Sequence, residues 1–397
     1  MKKFLFTAYI IIILAISDGY CQNRSITFSE KPWAEIQAVA RKENKLIFLD
    51  AYATWCGPCK WMSANIFTND TIADYYNKTF VCAKIDMEKG EGISLAKQYG
   101  VRYYPTLLFI NAEGEMIHKK VGVSRKISDY IDLGIIARDP DKCLAAGIKK
   151  YQAGNLDPVF MFSFLKNLQD AYIPTAEVLK KYIATQKSED LINQLNWNII
   201  YNFSEDINSA EFIFLVNHHK EFEQRFQMDS VQNKIYNVYS YELNKFFRMK
   251  PFPQQKWDSL INVIKKSGYS GANVITLDAQ LNLYSSRKDT TKFLDLAYRE
   301  VDLVYRDDYT KLNNIAYQVY TISGNVKNLE KAAEWAKRSI KLKDEPFNND
   351  TYAAILFKLG KKEEAIRTEK KAIELARKKN LPIKDYENSL SKMQSGK

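Results

Sequence analysis

Up to residue 137 this chain alternates between two textures, and beyond residue 140 it keeps only one. KLIFLDAYA (45–53), FVCAKID (80–86), TLLFIN (106–111) and EMIHKKV (115–121) are short apolar runs of strand length. PWAEIQAVARKEN (32–44), GISLAKQYG (92–100) and RKISDYIDLGIIA (125–137) carry apolar residues at helical spacing, and CGPCKWMSANIF starts a further helix. In the last of these, Ile127, Tyr130, Ile131 and Ile135 fall on one helical face. Glu113-Gly114 joins the last two strands by a turn. The order α-β-α-β-α-β-β-α predicts an α/β domain, a mixed sheet with helices on both faces. From 141 to 397 no strand alternation recurs. Helical segments follow one another, broken at Gly154, Pro158, Pro174, Pro251, Pro253, Gly268 and Gly271, which predicts an all-α remainder.

Near the end a repeat emerges. Ala332 and Ser339 recur as Ala365 and Ala372, and Ala316 recurs as Ala353, at offsets of 33 and 37 residues. Small residues at such positions let antiparallel helices approach closely, and Gly360 ends the first helix of the final unit. The pattern is similar to tetratricopeptide repeats, whose period is about 34 residues. The domain reading is therefore a leader over 1–21, an α/β domain over 22–140, an all-helical region over 141–310 and repeat-like helices over 311–397.

The leader begins with Lys2 and Lys3 and continues with FLFTAYIIIILAI (Phe4–Ile16) and the polar SDGYC. That order is a secretory signal, and the apolar run falls short of the roughly 20 residues a membrane span needs. Tyr20 stands where lipid attachment at Cys21 would want a small residue, so cleavage before Gln22 is expected. The protein is then exported, to a periplasmic or other extracytoplasmic compartment. Its net charge is +11, but basic stretches such as KKEEAIRTEKKAIELARKK (361–379) mix both signs and read as solvated helix faces. No nucleic-acid partner is expected.

Five cysteines occur, at 21, 56, 59, 82 and 143. Structural zinc would want four ligands, usually as two close pairs. The three histidines, His118, His218 and His219, lie at no ligand spacing to a cysteine pair. Cys56 and Cys59, two residues apart at a strand-to-helix junction, are the pair with chemistry. Cys82, mid-strand, reads as a buried inert thiol, and the state of Cys143 is open.

FLDAYATWCGPCK followed by YYPTLLFINAEGE resembles the thioredoxin family. The resemblance covers about residues 28–140 and implies a thioredoxin fold. It places Cys56 at a helix N-terminus, where unpaired N–H groups favour the thiolate that disulfide exchange requires. Cys56 would attack a substrate disulfide and Cys59 would resolve the mixed disulfide. Asp50, ending the preceding strand, would serve as proton acceptor for Cys59, because a buried carboxyl titrates nearer neutrality. A cis Tyr104-Pro105 bond beside the cysteines is implied, with Trp55, Gly57, Pro58, Tyr104 and Pro105 bordering the substrate groove. Trp61 and Met62 read as packing residues. The disulfide is its own redox centre, so no metal, flavin or haem is needed.

The function expected is an exported thiol–disulfide oxidoreductase that reduces disulfide-containing proteins with electrons from an upstream dithiol donor. Its helical domain would offer a surface to a peptide partner. Two alternatives stand beside it: an oxidase or isomerase, and an adaptor whose helices bind a partner while the redox domain is accessory.

Overall fold

The computed structural model describes residues 24–396. The leader, Cys21 and the expected cleavage site at Gln22 lie outside the described residues. Two compact units are present, the first ending at Ser204 and the second running from Glu205.

The first unit opens with α1 (Trp33–Glu43), β1 (Ile47–Tyr52), α2 (Gly57–Asn65), α3 (Asp70–Thr79), β2 (Val81–Asp86), α4 (Gly92–Gln98), β3 (Thr106–Ile110), β4 (Met116–Val121) and α5 (Ile127–Arg138). The strands form one sheet in the order β2-β1-β3-β4, with β1 parallel to β2 and the other pairs antiparallel. Because side chains alternate across a strand, the sheet separates two cores. Phe48, Leu107 and Phe109 face α2, α3 and α5 through Met62, Tyr76 and Leu133. Ile47, Leu49, Leu108 and Ile110 face the other way, towards Trp33, Ile36 and Leu95. Asp50 shares the phase of Phe48, and Lys84 that of Cys82. The pleat thus turns both charged residues towards the layer that contains α2.

Two local features differ from the sequence reading. The segment after the cysteine helix is a separate helix, α3, because Asn69 caps it: its Oδ1 accepts from the N–H groups of Thr71 (3.1 Å) and Ile72 (3.3 Å). And α5 buries Tyr130, Leu133, Gly134 and Ala137, leaving Ile127 and Ile135 exposed. Gly134 explains that face, since a Cβ there would lie 2.6 Å from the Tyr75 ring. The helix seats its smallest residue, not its isoleucines, against α3.

The unit continues as α6 (Leu144–Gln152), α7 (Pro158–Asp170), α8 (Ala176–Ile183), α9 (Ser188–Leu191) and α10 (Gln194–Phe203). The sequence reading closes its first domain at 140, whereas the compact unit runs on because α6 and α7 pack on β4. Asp170 pairs with Lys120 of β4 at 3.6 Å. His118, buried on β4, accepts at Nδ1 from the Leu144 N–H at 3.1 Å and so caps α6. Burial holds this imidazole down at about pKa 4, in the neutral form that can accept. Helix α7 starts at Pro158 behind its cap Asp157 and ends in a Schellman turn, with Tyr172 N–H to Gln169 C=O and Ile173 N–H to Leu168 C=O. Tyr172 holds the left-handed position of that turn at φ +56°. Glycine fills the equivalent position after α6, as Gly154. A residue with a Cβ costs about 1–2 kcal/mol in that conformation.

In the second unit the helices are α11 (Ala210–Asn217), α12 (His219–Arg225), α13 (Met228–Lys245), α14 (Gln254–Lys266), α15 (Ala272–Ser286), α16 (Thr290–Val304), α17 (Tyr309–Ile322), α18 (Val326–Leu342), α19 (Pro346–Lys358), α20 (Lys362–Lys378) and α21 (Lys384–Ser395). The remainder of the chain is all-helical. Pairs α17/α18 and α19/α20 pack along much of their length. Ala316, Ala332, Ala353 and Ala365 are fully buried in those contacts. Glu369 of α20 is also fully buried, and the Asp350 carboxyl of α19 is the charge that acts on it.

Candidate functional site

Strand β1 ends at Tyr52, and a short turn through Thr54 and Trp55 delivers Cys56 as the N-cap of α2. Cys56 and Cys59 are joined in a disulfide, both about 2% exposed. The Cys59 N–H donates to Cys56 Sγ at 3.1 Å, so the first-turn amide field of α2 acts on that sulfur. Pro58 sits within the first turn, where no N–H is wanted. Gly57 has open space where a Cβ would be, which leaves the approach to Cys56 uncrowded. The Tyr104-Pro105 bond is cis, and Tyr104 packs against Cys56, Cys59 and Ala53. Among the described residues, neither the N–H nor the C=O of Tyr104 takes part in a hydrogen bond. Trp55 is 68% exposed, its ring meeting Tyr104 edge-on at 5.9 Å and its Nε1–H donating to Glu88 at 2.8 Å.

Behind the disulfide, Asp50 is fully buried. The β1–β2 register sets Lys84 beside it, with Nζ 3.3 Å from Oδ2. Apart from Lys84, neither oxygen has a partner among the described residues. Burial raises the Asp50 pKa to about 6, against the pull of the Lys84 charge. Lys84 in turn donates to Ser63 Oγ and lies over the rings of Tyr52, Phe67 and Phe28 at 5.0–5.7 Å. Cys59, Ser63 and Lys84 line one cavity of about 470 Å³. That cavity links Cys59 to the lysine paired with Asp50.

The expected residues thus gather at one end of the sheet. Met62 is core, while Trp61 on the same helix is partly exposed. Cys82 is a free buried thiol whose pKa burial pushes up to about 12, and Cys143 is a second free buried thiol. His218 and His219 turn to different partners, Glu221 and the Val216 carbonyl. No cluster of three His, Cys, Asp or Glu suited to a metal ion occurs among the described residues. Sequence reasoning missed Lys84, Ser63 and Glu88. Lys84 left one signal, a lysine in the same strand phase as the buried Cys82.

Residues 27–132 match the thioredoxin family model. Thioredoxin H4 of Arabidopsis thaliana is 40% identical over 87 residues, 22% of this chain and 68% of that protein. A thioredoxin of Chlorobaculum thiosulfatiphilum is 32% identical over 94 residues, 22% of this chain and 82% of that protein. Among solved structures, one described as a candidate disulphide-isomerase from Bacteroides thetaiotaomicron is 44% identical. It covers 30% of this chain and 99% of its own, with a TM-score of 0.27. Each likeness spans less than a third of this chain.

Proposed function

This chain belongs to the thioredoxin family of thiol–disulfide oxidoreductases, and from there we propose that it works as an exported reductase of protein disulfides. The observation that carries the reading is the Cys56–Cys59 pair at the start of α2 with the buried Asp50–Lys84 pair behind it.

In the reduced protein Cys56 is the thiolate, favoured by the amides of the first turn of α2. It attacks one sulfur of a substrate disulfide. A new S–S bond forms, and the other substrate sulfur leaves as a thiolate and takes up a proton. Asp50, as carboxylate, accepts the proton of Cys59. The Cys59 thiolate then attacks Cys56 Sγ, expels the second substrate thiolate and closes the Cys56–Cys59 disulfide. Two electrons have passed to the substrate, and an upstream dithiol protein restores the pair. The unpaired backbone groups of Tyr104 suit a substrate strand laid beside cis-Pro105, with Trp55, Gly57 and Pro58 bordering it. Gly57-Pro58 between the cysteines favours the reducing direction, as the family resemblance implies. The leader supports export, and the repeat-like helices support a polypeptide-holding surface.

Equilibration with glutathione tests direction. A potential below about −230 mV is expected, and a value near −180 mV or higher would make the protein an oxidant or isomerase. Trapping tests the roles of the cysteines. Cys59→Ser should accumulate mixed disulfides with exported proteins and Cys56→Ser should trap none. An absence of adducts from Cys59→Ser would favour the adaptor reading.

A further inference from the structure

Two pairs of aromatic rings adjoin along the chain next to the redox pair, and one ring of the second pair does not belong to the matched domain. Trp55 precedes Cys56 and meets Tyr104. Tyr103, next in the chain, is 55% exposed and lies 5.2 Å, centroid to centroid, from the ring of Tyr172. Tyr172 is itself 64% exposed. It comes from the turn after α7, in the helical extension of the first unit.

Two features set this pair apart from scattered surface aromatics. Tyr172 occupies a left-handed Schellman position that glycine would fill without strain, and burial does not compensate, because most of the ring faces solvent. The turn that carries the ring is also anchored. Ala171 before it is buried, Asp170 pairs with Lys120 of β4, and Asn167 Nδ2 donates to the Lys142 carbonyl at 2.8 Å. The sequence thus holds a large exposed ring in a conformation it disfavours, on a fixed base, in contact with the loop that carries cis-Pro105.

We propose that Tyr103 and Tyr172 form a shelf that continues the substrate groove and selects protein substrates with a large aromatic or apolar side chain close to the disulfide cysteine. The proposal rests on the reading of Cys56 and Cys59 as the reactive pair and adds a specificity determinant to it. The occupant is the extended substrate segment that flanks the cysteine under attack. Tyr103 is the chain neighbour of Tyr104, two residues before Pro105. Two tyrosine faces offer a broad contact with little side-chain freedom to lose.

The test uses the full mature chain and two disulfide-looped peptides of equal length, one with Phe and one with Ser beside the cysteine. The wild-type protein should reduce the Phe peptide with a kcat/KM about tenfold above the Ser peptide, and bind it more tightly by calorimetry. Tyr172→Gly should bring that ratio close to one, whereas Tyr172→Phe should retain it. The melting temperature of Tyr172→Gly should equal or exceed wild type, since glycine suits the turn, so loss of selectivity cannot be ascribed to misfolding. Equal treatment of the two peptides by the wild-type protein, or an unchanged ratio in Tyr172→Gly, overturns the shelf. So does a change in sedimentation on Tyr172→Gly, which would make the shelf a contact between two copies. Reduction of a small aromatic disulfide by the wild-type protein checks the thiol chemistry separately. If that fails, the reading of Cys56 and Cys59 falls, while peptide affinities still decide the shelf.

Discussion

Asp50 in the first unit and Glu369 in the second are both carboxyls with no exposed surface. Desolvation is the largest influence on each and raises both pKa values. Their neighbours differ in sign. Lys84 stands beside Asp50 and pulls its pKa back to about 6, so the carboxyl changes charge close to neutral pH. Glu369 faces Asp350, another carboxyl, which pushes its pKa higher still. Neither Glu369 oxygen meets a donor group among the described residues, and two carboxyls side by side bond only by sharing a proton. Glu369 therefore stays protonated at neutral pH. Burial alone does not mark a proton-transfer group; the sign of the nearest charge does.

The sharpest way to break this contrast is a matched pair of amides. Asp50→Asn should slow resolution of the mixed disulfide about a hundredfold in single-turnover assays, within the range of general-base contributions, whereas Glu369→Gln should leave it within twofold. Equal effects would remove the distinction. A buried base extends the comparison. The folded pKa of His118 lies near 4, below its ordinary 6.5, so the unfolded chain takes up a proton first as pH falls. Stability should be complete above pH 6.5 and fall by about 2 kcal/mol by pH 5, as followed by denaturant melts. His118→Asn, which keeps an acceptor for the Leu144 N–H, should flatten that acid limb. Next in size is Lys84→Met. Without the opposing charge the Asp50 pKa rises, and the midpoint of the pH–rate profile should move up by about one unit, a tenfold loss near pH 6. An unmoved profile would mean that another group titrates. Smallest is the stability of the second unit. The raised Glu369 pKa means stability is lost as pH climbs from the ordinary carboxyl range through the raised value. Glu369→Gln can still donate to Asp350 and should add about 1 kcal/mol at pH 9, roughly 2–4 °C in melting temperature, with little change at pH 5.

Which residues could be read in advance follows from how each is specified. Cys56 and Cys59 carry their chemistry in residue type and local spacing, and the family resemblance points to Asp50 and Pro105. Their placement at one end of the sheet follows from strand alternation alone. Lys84 was not legible, because its partnership with Asp50 depends on the register of two strands far apart in the chain. Tyr172 was hidden for a related reason. Helical spacing says that α7 is amphipathic but not what it packs on, so nothing in the sequence brings its end to the Tyr103 loop. The same ambiguity hid that α6 and α7 pack on β4 and which side of α5 meets α3. There the decisive signal was Gly134, a small residue easily passed over among isoleucines.

Cys82 and Cys143 are buried, and Cys82 is held far from its thiolate form. A chain that handles disulfides risks exchanging them within itself. Here Cys82 is held in its thiol form and is a poor attacker. Each folded molecule should therefore carry a whole charge of two electrons and no fraction of it. Alkylation of the reduced native protein should leave Cys82 unlabelled until the chain unfolds. The dithiol then behaves as a discrete token in a relay, counted one molecule at a time.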